Sequence, residues 1–362
     1  MEDIKYLVWL NHIFEPGTKK ITQILDFFGT ARNAFNSEYL DLKASMFLTE
    51  NDIKKIISSK REFDIDACME NLLKKNILIV SKNCKNYPSL LKNTDNPPEI
   101  LYYIGEIPPD NLIKISIIGS RESTQYGRTM ANKLGRELAS KNVVVVSGMA
   151  RGIDAATHQG AIDGGEKTIA VLGTGVDVCY PLENFNLYEK ISQGSGCIIS
   201  EYPPETTAKP RFFPVRNRIV AGLSDATIVV ESGKKSGTSI TVGYALDFGR
   251  EVFAVPGQAT SPYSVGTNQL IKEGAALVTS AQDVLDFLGI IESEQGDSLE
   301  NIKKSLAPNE KLIYEFLNHN PISIDEIKIR SNMDIKDIQF ALTTLEIKRI
   351  IKRLPGQQFI KT

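Results

Sequence analysis

The 362 residues exceed what a single hydrophobic core usually serves, so the length predicts two or three domains. With 42% hydrophobic and 24% charged residues and no long apolar run, the composition excludes collagen-like, disordered and membrane-spanning classes. A net charge of −2 excludes an overall basic field, so any nucleic-acid site must be local.

The opening Met1-Glu2-Asp3-Ile4-Lys5 is acidic where a secretory signal carries a basic segment, and the apolar stretch to Trp9 and Leu10 is short, so a cytoplasmic location is expected. From Lys5 to about Lys75, apolar residues recur at helical spacing, as in Ile21, Ile24, Leu25 and Phe28 or Ile53, Ile56 and Ile57. Breakers at Pro16-Gly17 and Gly29-Thr30 divide the segment into short helices, and residues 1–80 read as a small helical domain. Tyr87-Pro88 and Asn96-Pro97-Pro98 then make a proline-rich connector before a strand at 100–105.

Between 114 and 289 short β-branched runs alternate with helical patterns: 115–118, 143–146, 168–172, 196–199, 227–230, 252–255 and 276–278. Runs that are apolar on both faces are parallel strands covered by helices, so residues 81–290 are expected to form an α/β domain with a doubly wound, Rossmann-like, all-parallel sheet. A polar linker follows over 291–305. Residues 306–362 predict a winged helix-turn-helix, with helices at 310–318, 324–329 and 335–347 and a wing turning at Pro355-Gly356. Lys348-Arg349 and Lys352-Arg353 beside that wing suit either a duplex backbone or a protein partner. Cys68, Cys84, Cys179 and Cys197 have no close spacing, which predicts neither a zinc site nor disulfides; no metal and no cofactor are expected.

The glycines and cations fall after the strands. Gly119-Ser120-Arg121, the stretch Ser147-Gly148-Met149-Ala150-Arg151-Gly152, Gly173-Thr174-Gly175, Glu201-Tyr202-Pro203-Pro204 and the 232–239 stretch with Lys235, Ser236, Gly237 and Thr238 each follow a strand. In a parallel sheet these loops share the carboxyl edge, where glycines bring backbone N–H groups and helix N-termini close to an anion. Arg121, Arg151, Arg216, Arg218 and Lys235 add full charge, and Asn217 lies among them. Residues 207–218 mix Lys209 and Arg211 with Phe212 and Phe213, a combination that grips phosphates while stacking unpaired bases; one of the two rings is expected in the core. Asp154 and His158, one helical turn apart, read as residues that order a loop. A three-glycine dinucleotide fingerprint is missing after the first strand, which argues against NAD.

The motifs G-S-R (119–121), S-G-M-A-R-G-I-D (147–154) with His158, T-I-A-V-L-G-T-G (168–175), S-E-Y-P-P (200–204), F-P-V-R-N-R-I-V-A-G-L-S (213–224), S-G-T-S-I-T (236–241) and F-A-V-P-G (253–257) together resemble the DNA-processing protein family DprA, also called Smf. The resemblance runs from about Lys114 to Asp286, and the family's flanking domains, helical of the SAM or helix-hairpin-helix kind and winged helix, agree with both ends. It implies a non-enzymatic protein that binds single-stranded DNA, forms homodimers, brings in the recombinase RecA and protects incoming DNA during natural transformation. Carried over by motif, the DNA contacts would be Arg121, the 147–152 loop, Lys209, Phe213 and Ser236-Gly237-Thr238.

An enzyme is the rival reading. Residues 234–241 also resemble the P-G-G-x-G-T-x-x-E motif of Rossmann-like nucleotide phosphoribohydrolases. Those enzymes use the final glutamate in the chemistry, whereas this chain has Thr241, which cannot serve as a carboxylate base. A third reading is an adaptor whose crevice is vestigial.

Overall fold

The computed structural model describes residues 2–165, 167–234, 236–290, 306–317, 322–331, 333–347, 351–354 and 358–361. The chain divides into two units, Met1–Ile291 and Glu292–Thr362. The expected linker at 291–305, the Lys348-Arg349 pair, the Pro355-Gly356 turn and Lys235 lie outside the described residues.

Six helices lead the first unit: α1 (Glu2–Ile13), α2 (Lys20–Phe28), α3 (Ala31–Asn36), α4 (Tyr39–Ala44), α5 (Glu50–Glu62) and α6 (Ile65–Lys74). Thr30, Thr49 and Asp64 start three of them, each side chain accepting from the backbone N–H three residues on. Their apolar faces bury Val8, Trp9, Ile24, Leu42, Ile53 and Ile56 in one cluster with Ile100, Tyr102, Ala170, Leu172 and Ile198. The helical segment thus shares its core with the sheet.

The strands are β1 (Leu78–Ser81), β2 (Ile100–Gly105), β3 (Lys114–Ile118), β4 (Val144–Ser147), β5 (Thr168–Val171), β6 (Gly196–Ser200), β7 (Ala226–Val229), β8 (Glu251–Ala254) and β9 (Ala276–Leu277). Between them lie α7 (Ser89–Lys92), α8 (Gln125–Ala139), α9 (Ile153–Asp163), α10 (Phe185–Lys190), α11 (Phe212–Gly222), α12 (Thr238–Asp247), α13 (Val265–Lys272) and α14 (Ala281–Phe287). The strand order is β1-β2-β6-β5-β4-β3-β7-β8-β9. From β3 to β9 all pairings are parallel. At one edge the expectation of an all-parallel sheet is corrected: β2 pairs antiparallel with β6, and β1 antiparallel with β2. A parallel neighbour requires a crossover helix long enough to return the chain, whereas the 82–99 connection carries only the four-residue α7.

Both faces of the parallel strands are buried. Ile115, Ile117 and Val145 pack with Leu134 and Leu138 of α8, Ile153 of α9 and Val284 of α14. Ile118, Val144, Val146 and Ile169 pack with Ile219 and Val220 of α11 and Val242 and Ala245 of α12. The chain runs from β3 outward to β6, then returns to the other side of β3 with β7. Loops leaving β3 and β7 therefore part in opposite directions, which is the switch point where sheets of this kind bind ligands.

In the second unit α15 (Pro308–Phe316), β10 (Ile322–Ser323), α16 (Ile324–Ser331), α17 (Ile335–Ile347), β11 (Ile351–Leu354) and β12 (Gln358–Lys361) follow one another. Its sheet has the order β10-β12-β11, and its own core gathers Ile313, Leu317, Ile327, Ile338, Leu342, Leu345 and Phe359. Proline at the first helical position sets the start of α15 two residues ahead of the expected Glu310. Among the described residues no helix is long and apolar enough to cross a membrane.

Candidate nucleic-acid interface

At the switch point lies a crevice of about 450 Å³, lined by Gly119, Ser120 and Arg121 after β3, Ala150 and Asp154 around the start of α9, Phe213, Arg216 and Asn217 of α11, and Ser236, Gly237, Thr238 and Thr241 at the start of α12. Four separated stretches of sequence meet there. Glu231, just beyond β7, ties two of them together by accepting bonds from the backbone N–H and the hydroxyl of Thr124, the residue that starts α8. Beside the crevice a smaller recess of about 70 Å³ is lined by Arg121, Gly148, Ala150, Arg151, Tyr180, Pro181, Phe213 and Arg216.

The floor is a buried polar knot. Arg216 is 3% exposed, and its Nη1 donates to the carbonyl of Gly148 at 2.6 Å and to that of Val171. Burial lowers its pKa to about 10, Asp154 opposing the fall and the Arg121 charge adding to it. Asp154 accepts from the N–H groups of Gly148 (3.2 Å) and Ala150 (3.3 Å), which fixes the 147–150 turn. Burial pushes its carboxyl upward, against the pull of Arg216 and these donors. A Cβ on residue 148 would fall 2.7 Å from Arg216 Nη2 and 2.8 Å from Asp154 Oδ2, so glycine is required there. Gly152 (φ +75) has left-handed backbone, and its Cα side faces the carbonyls of Ser120 and Arg121 too closely for any side chain. Asn184 holds the same loop from outside, donating to the Met149 carbonyl at 2.8 Å.

The rim is aromatic and cationic. The Arg121 guanidinium stands 5.2 Å from the centre of the Phe213 ring, and Tyr180 lies on that ring at 5.4 Å and 31°. Arg121 and Tyr180 are both exposed. Of the two adjacent phenylalanines, Phe212 is the core residue, packed on Tyr202 at 4.3 Å, and Phe213 faces the crevice. Tyr180 and Asn184 were not singled out from the sequence; the Cys179-Tyr180-Pro181 turn soon after Gly173-Thr174-Gly175 was the available signal.

Other expected positions stand apart. Ser147 is fully buried and donates to the Ile117 carbonyl (2.7 Å), and Met149 is fully buried in the core beneath the loop. Arg151 is exposed at the recess and paired with Glu183 at 2.6 Å. Lys209 is exposed outside the crevice, its ammonium 5.3 Å from the Phe212 ring centre. Arg218, expected at the ligand, needs correction: it is 6% exposed, donates to the Asn96 carbonyl at 2.7 Å and pairs with Glu201, itself 2% exposed. Residues two apart on a helix point to opposite sides, so Arg216 and Arg218 cannot serve one crevice together.

His158 is fully buried and shares a 2.8 Å hydrogen bond between Nδ1 and the Thr168 hydroxyl. Burial, with the Arg216 charge, holds its pKa down to about 3 from an ordinary 6.5. The native ring stays neutral while the unfolded chain takes up a proton below pH 6.5, so this residue removes stability as pH falls from 6.5 towards 3. Asp154, with a raised carboxyl pKa, works in the opposite sense and returns part of that loss in acid. Replacing His158 with leucine should flatten the acid limb by about one proton, ~1.4 kcal/mol per pH unit, in urea unfolding between pH 6 and 4. An unchanged slope would mean that the buried ring already carries a proton.

No group of three or more His, Cys, Asp or Glu suited to a metal is gathered among the described residues. What the crevice offers is anion recognition by Arg121, Arg216 and the start of α12, next to the aromatic pair of Phe213 and Tyr180.

Comparison with known proteins identifies the family. The family model described as DNA recombination-mediator protein A matches residues 75–289, and that of the DprA winged helix domain matches residues 300–357. DNA processing protein DprA of Bacillus subtilis is 41% identical over 208 residues, covering 56% of this chain and 69% of that protein. The X-ray structure of DNA processing protein A from Streptococcus pneumoniae superposes with a TM-score of 0.66 at 33% identity, over 78% of this chain and 95% of that one. A structure of DNA processing protein A from Helicobacter pylori, concerned with its single-stranded DNA binding mode, gives 0.52 at 29% identity, over 59% of this chain and 95% of that one. With the first family model alone spanning more than half of the residues, this chain belongs to the DNA recombination-mediator protein A family, also called DprA or Smf.

Proposed function

We propose that this protein is a cytoplasmic, non-enzymatic mediator of DNA recombination that holds single-stranded DNA without regard to sequence. The observation that carries the reading is the column of Arg121, Phe213 and Tyr180 at the mouth of an anion-binding crevice. Stacking contributes about 1–3 kcal/mol per base and requires an unpaired π-face, which a duplex does not present. The DNA-bound mode of the Helicobacter pylori relative supports the same ligand class. Gly119, Ser120, Arg121, Ala150, Phe213, Asn217, Ser236, Gly237 and Thr238 are the residues we assign to the strand, with Arg216 supporting them from below. Family membership supports the further roles of delivering RecA, protecting incoming DNA and acting as a homodimer. The helices of residues 1–80 we assign as a helical domain that packs on the sheet.

The test is fluorescence anisotropy with matched single- and double-stranded oligonucleotides across a salt series. Single strands should bind more tightly, and Arg121→Ala should reduce the slope of log K against log salt by roughly one, about 0.7 per phosphate contact on a single strand. Equal affinity for both oligonucleotides would end this reading, and an unaltered slope would take Arg121 off the phosphates. Against a hydrolase stand Thr241 in place of the glutamate and an Asp154 already committed to two backbone donors. Robust release of free base from nucleoside monophosphates, lost in Asp154→Asn, would restore that alternative.

A further inference from the structure

The crevice is small. Its volume of about 450 Å³ falls at the lower end of the roughly 300–1,000 Å³ of small-ligand sites, far short of what an extended strand occupies. It has two unlike poles. At one, the ten-residue α12 begins at Gly237 and Thr238, and Arg216, 3% exposed as a residue, lines the crevice. Its Nη1 donates to the carbonyls of Gly148 and Val171 and its Nε to the side chain of Asn217 at 3.3 Å, which fixes the group in the crevice wall. A guanidinium fixed in the crevice wall beside the start of a helix favours an anion there. At the other pole the Phe213 ring carries Arg121 near one side and Tyr180 along its edge of the recess.

One phosphate and one flat ring therefore complete the crevice. We propose that it takes a free nucleoside 5′-monophosphate, and that this small ligand competes with single-stranded DNA for the same residues. The proposal rests on the DNA-binding reading for its biological consequence, since displacement of a strand by a nucleotide makes DNA retention responsive to the nucleotide pool. A nucleotide within a strand gains from its neighbours along the groove, whereas a free one has only this crevice, so the free ligand binds more weakly. Binding leaves the nucleotide intact, because Asp154 is engaged by Gly148 and Ala150 and Thr241 offers no carboxylate.

The experiment uses the full chain. Equilibrium dialysis with radiolabelled dTMP measures binding directly, and a fluorescent oligonucleotide bound to the protein measures competition. Thymidine and inorganic phosphate serve as half-ligands at matched ionic strength. We expect millimolar binding of dTMP, displacement of the oligonucleotide, and a requirement for at least tenfold more thymidine or phosphate to give the same displacement. Phe213→Leu should weaken dTMP at least tenfold and leave phosphate unchanged; Arg121→Gln, at an exposed position, gives a second variant if that one does not fold. Equal potency of dTMP and phosphate overturns the proposal, as does dTMP binding without displacement. If the oligonucleotide binds and dTMP neither binds nor competes, this inference fails while the DNA-binding function stands. If the oligonucleotide itself does not bind, the function fails first.

Discussion

Arg216→Met should destabilise the protein by about 3–5 kcal/mol and, in whatever fraction remains folded, abolish tight binding of single-stranded DNA. The guanidinium is enclosed, so its loss does not merely remove a surface charge. The carbonyls of Gly148 and Val171 lose their donor, and water has little access to replace it. Asp154 loses the nearby positive charge that offsets its burial, and its grip on the Gly148 and Ala150 N–H groups weakens with it. The 147–150 turn then relaxes, and that turn lines both the crevice and the recess. Urea unfolding at pH 7 gives the stability term, and anisotropy at a temperature where the variant is folded gives the binding term. Asp154→Asn in the same background should recover part of the stability, because no uncompensated carboxylate remains. A cost below about 1 kcal/mol, or undiminished binding, would show that the knot does not support the site.

A similar loss is expected from Arg218→Met, with the opposite outcome for the ligand. Glu201 would be left buried without a countercharge, which costs about 3–5 kcal/mol. Burial already pushes the Glu201 carboxyl upward, and the Arg218 charge is what opposes it. The pair also joins α11 to the Asn96 carbonyl, and so to the connector that leads into β2. None of these partners lines the crevice. Single-stranded DNA affinity and its salt slope should therefore be unchanged once the folded fraction is taken into account. A slope reduced by about one would return Arg218 to the phosphates. Replacing both members, as Arg218→Met with Glu201→Leu, should restore most of the stability, since well-packed apolar residues often match a buried ion pair.

The strands of the parallel sheet were legible in the sequence because each is a short β-branched run, and their neighbours at the carboxyl ends were legible because glycine and cation motifs follow those runs directly. The antiparallel edge was less so. The 78–80 run is apolar, but which strand it meets depends on a connection too short for a crossover. Phe212 and Phe213 illustrate the same limit at one residue: adjacent positions on a helix point about 100° apart, and only the location of Tyr202 decides which ring is covered. Tyr180 reached the site from a separate loop that carries no cation, beyond the Gly173-Thr174-Gly175 turn.

Sequence by itself determined the family motifs, the βα alternation and the gathering of strand-end loops on one edge, because all of these follow from local pattern and from the shared polarity of parallel strands. Tertiary structure decided which charges are open to a ligand. Arg121 stays exposed, Arg216 is held in the crevice wall by its bonds to Gly148 and Val171, and Arg218 is taken up by Asn96 and Glu201, the first of these 122 positions away. The reason is physical: a side chain's charge is set by its own chemistry, but its availability is set by desolvation and by partners that only the folded chain brings within reach.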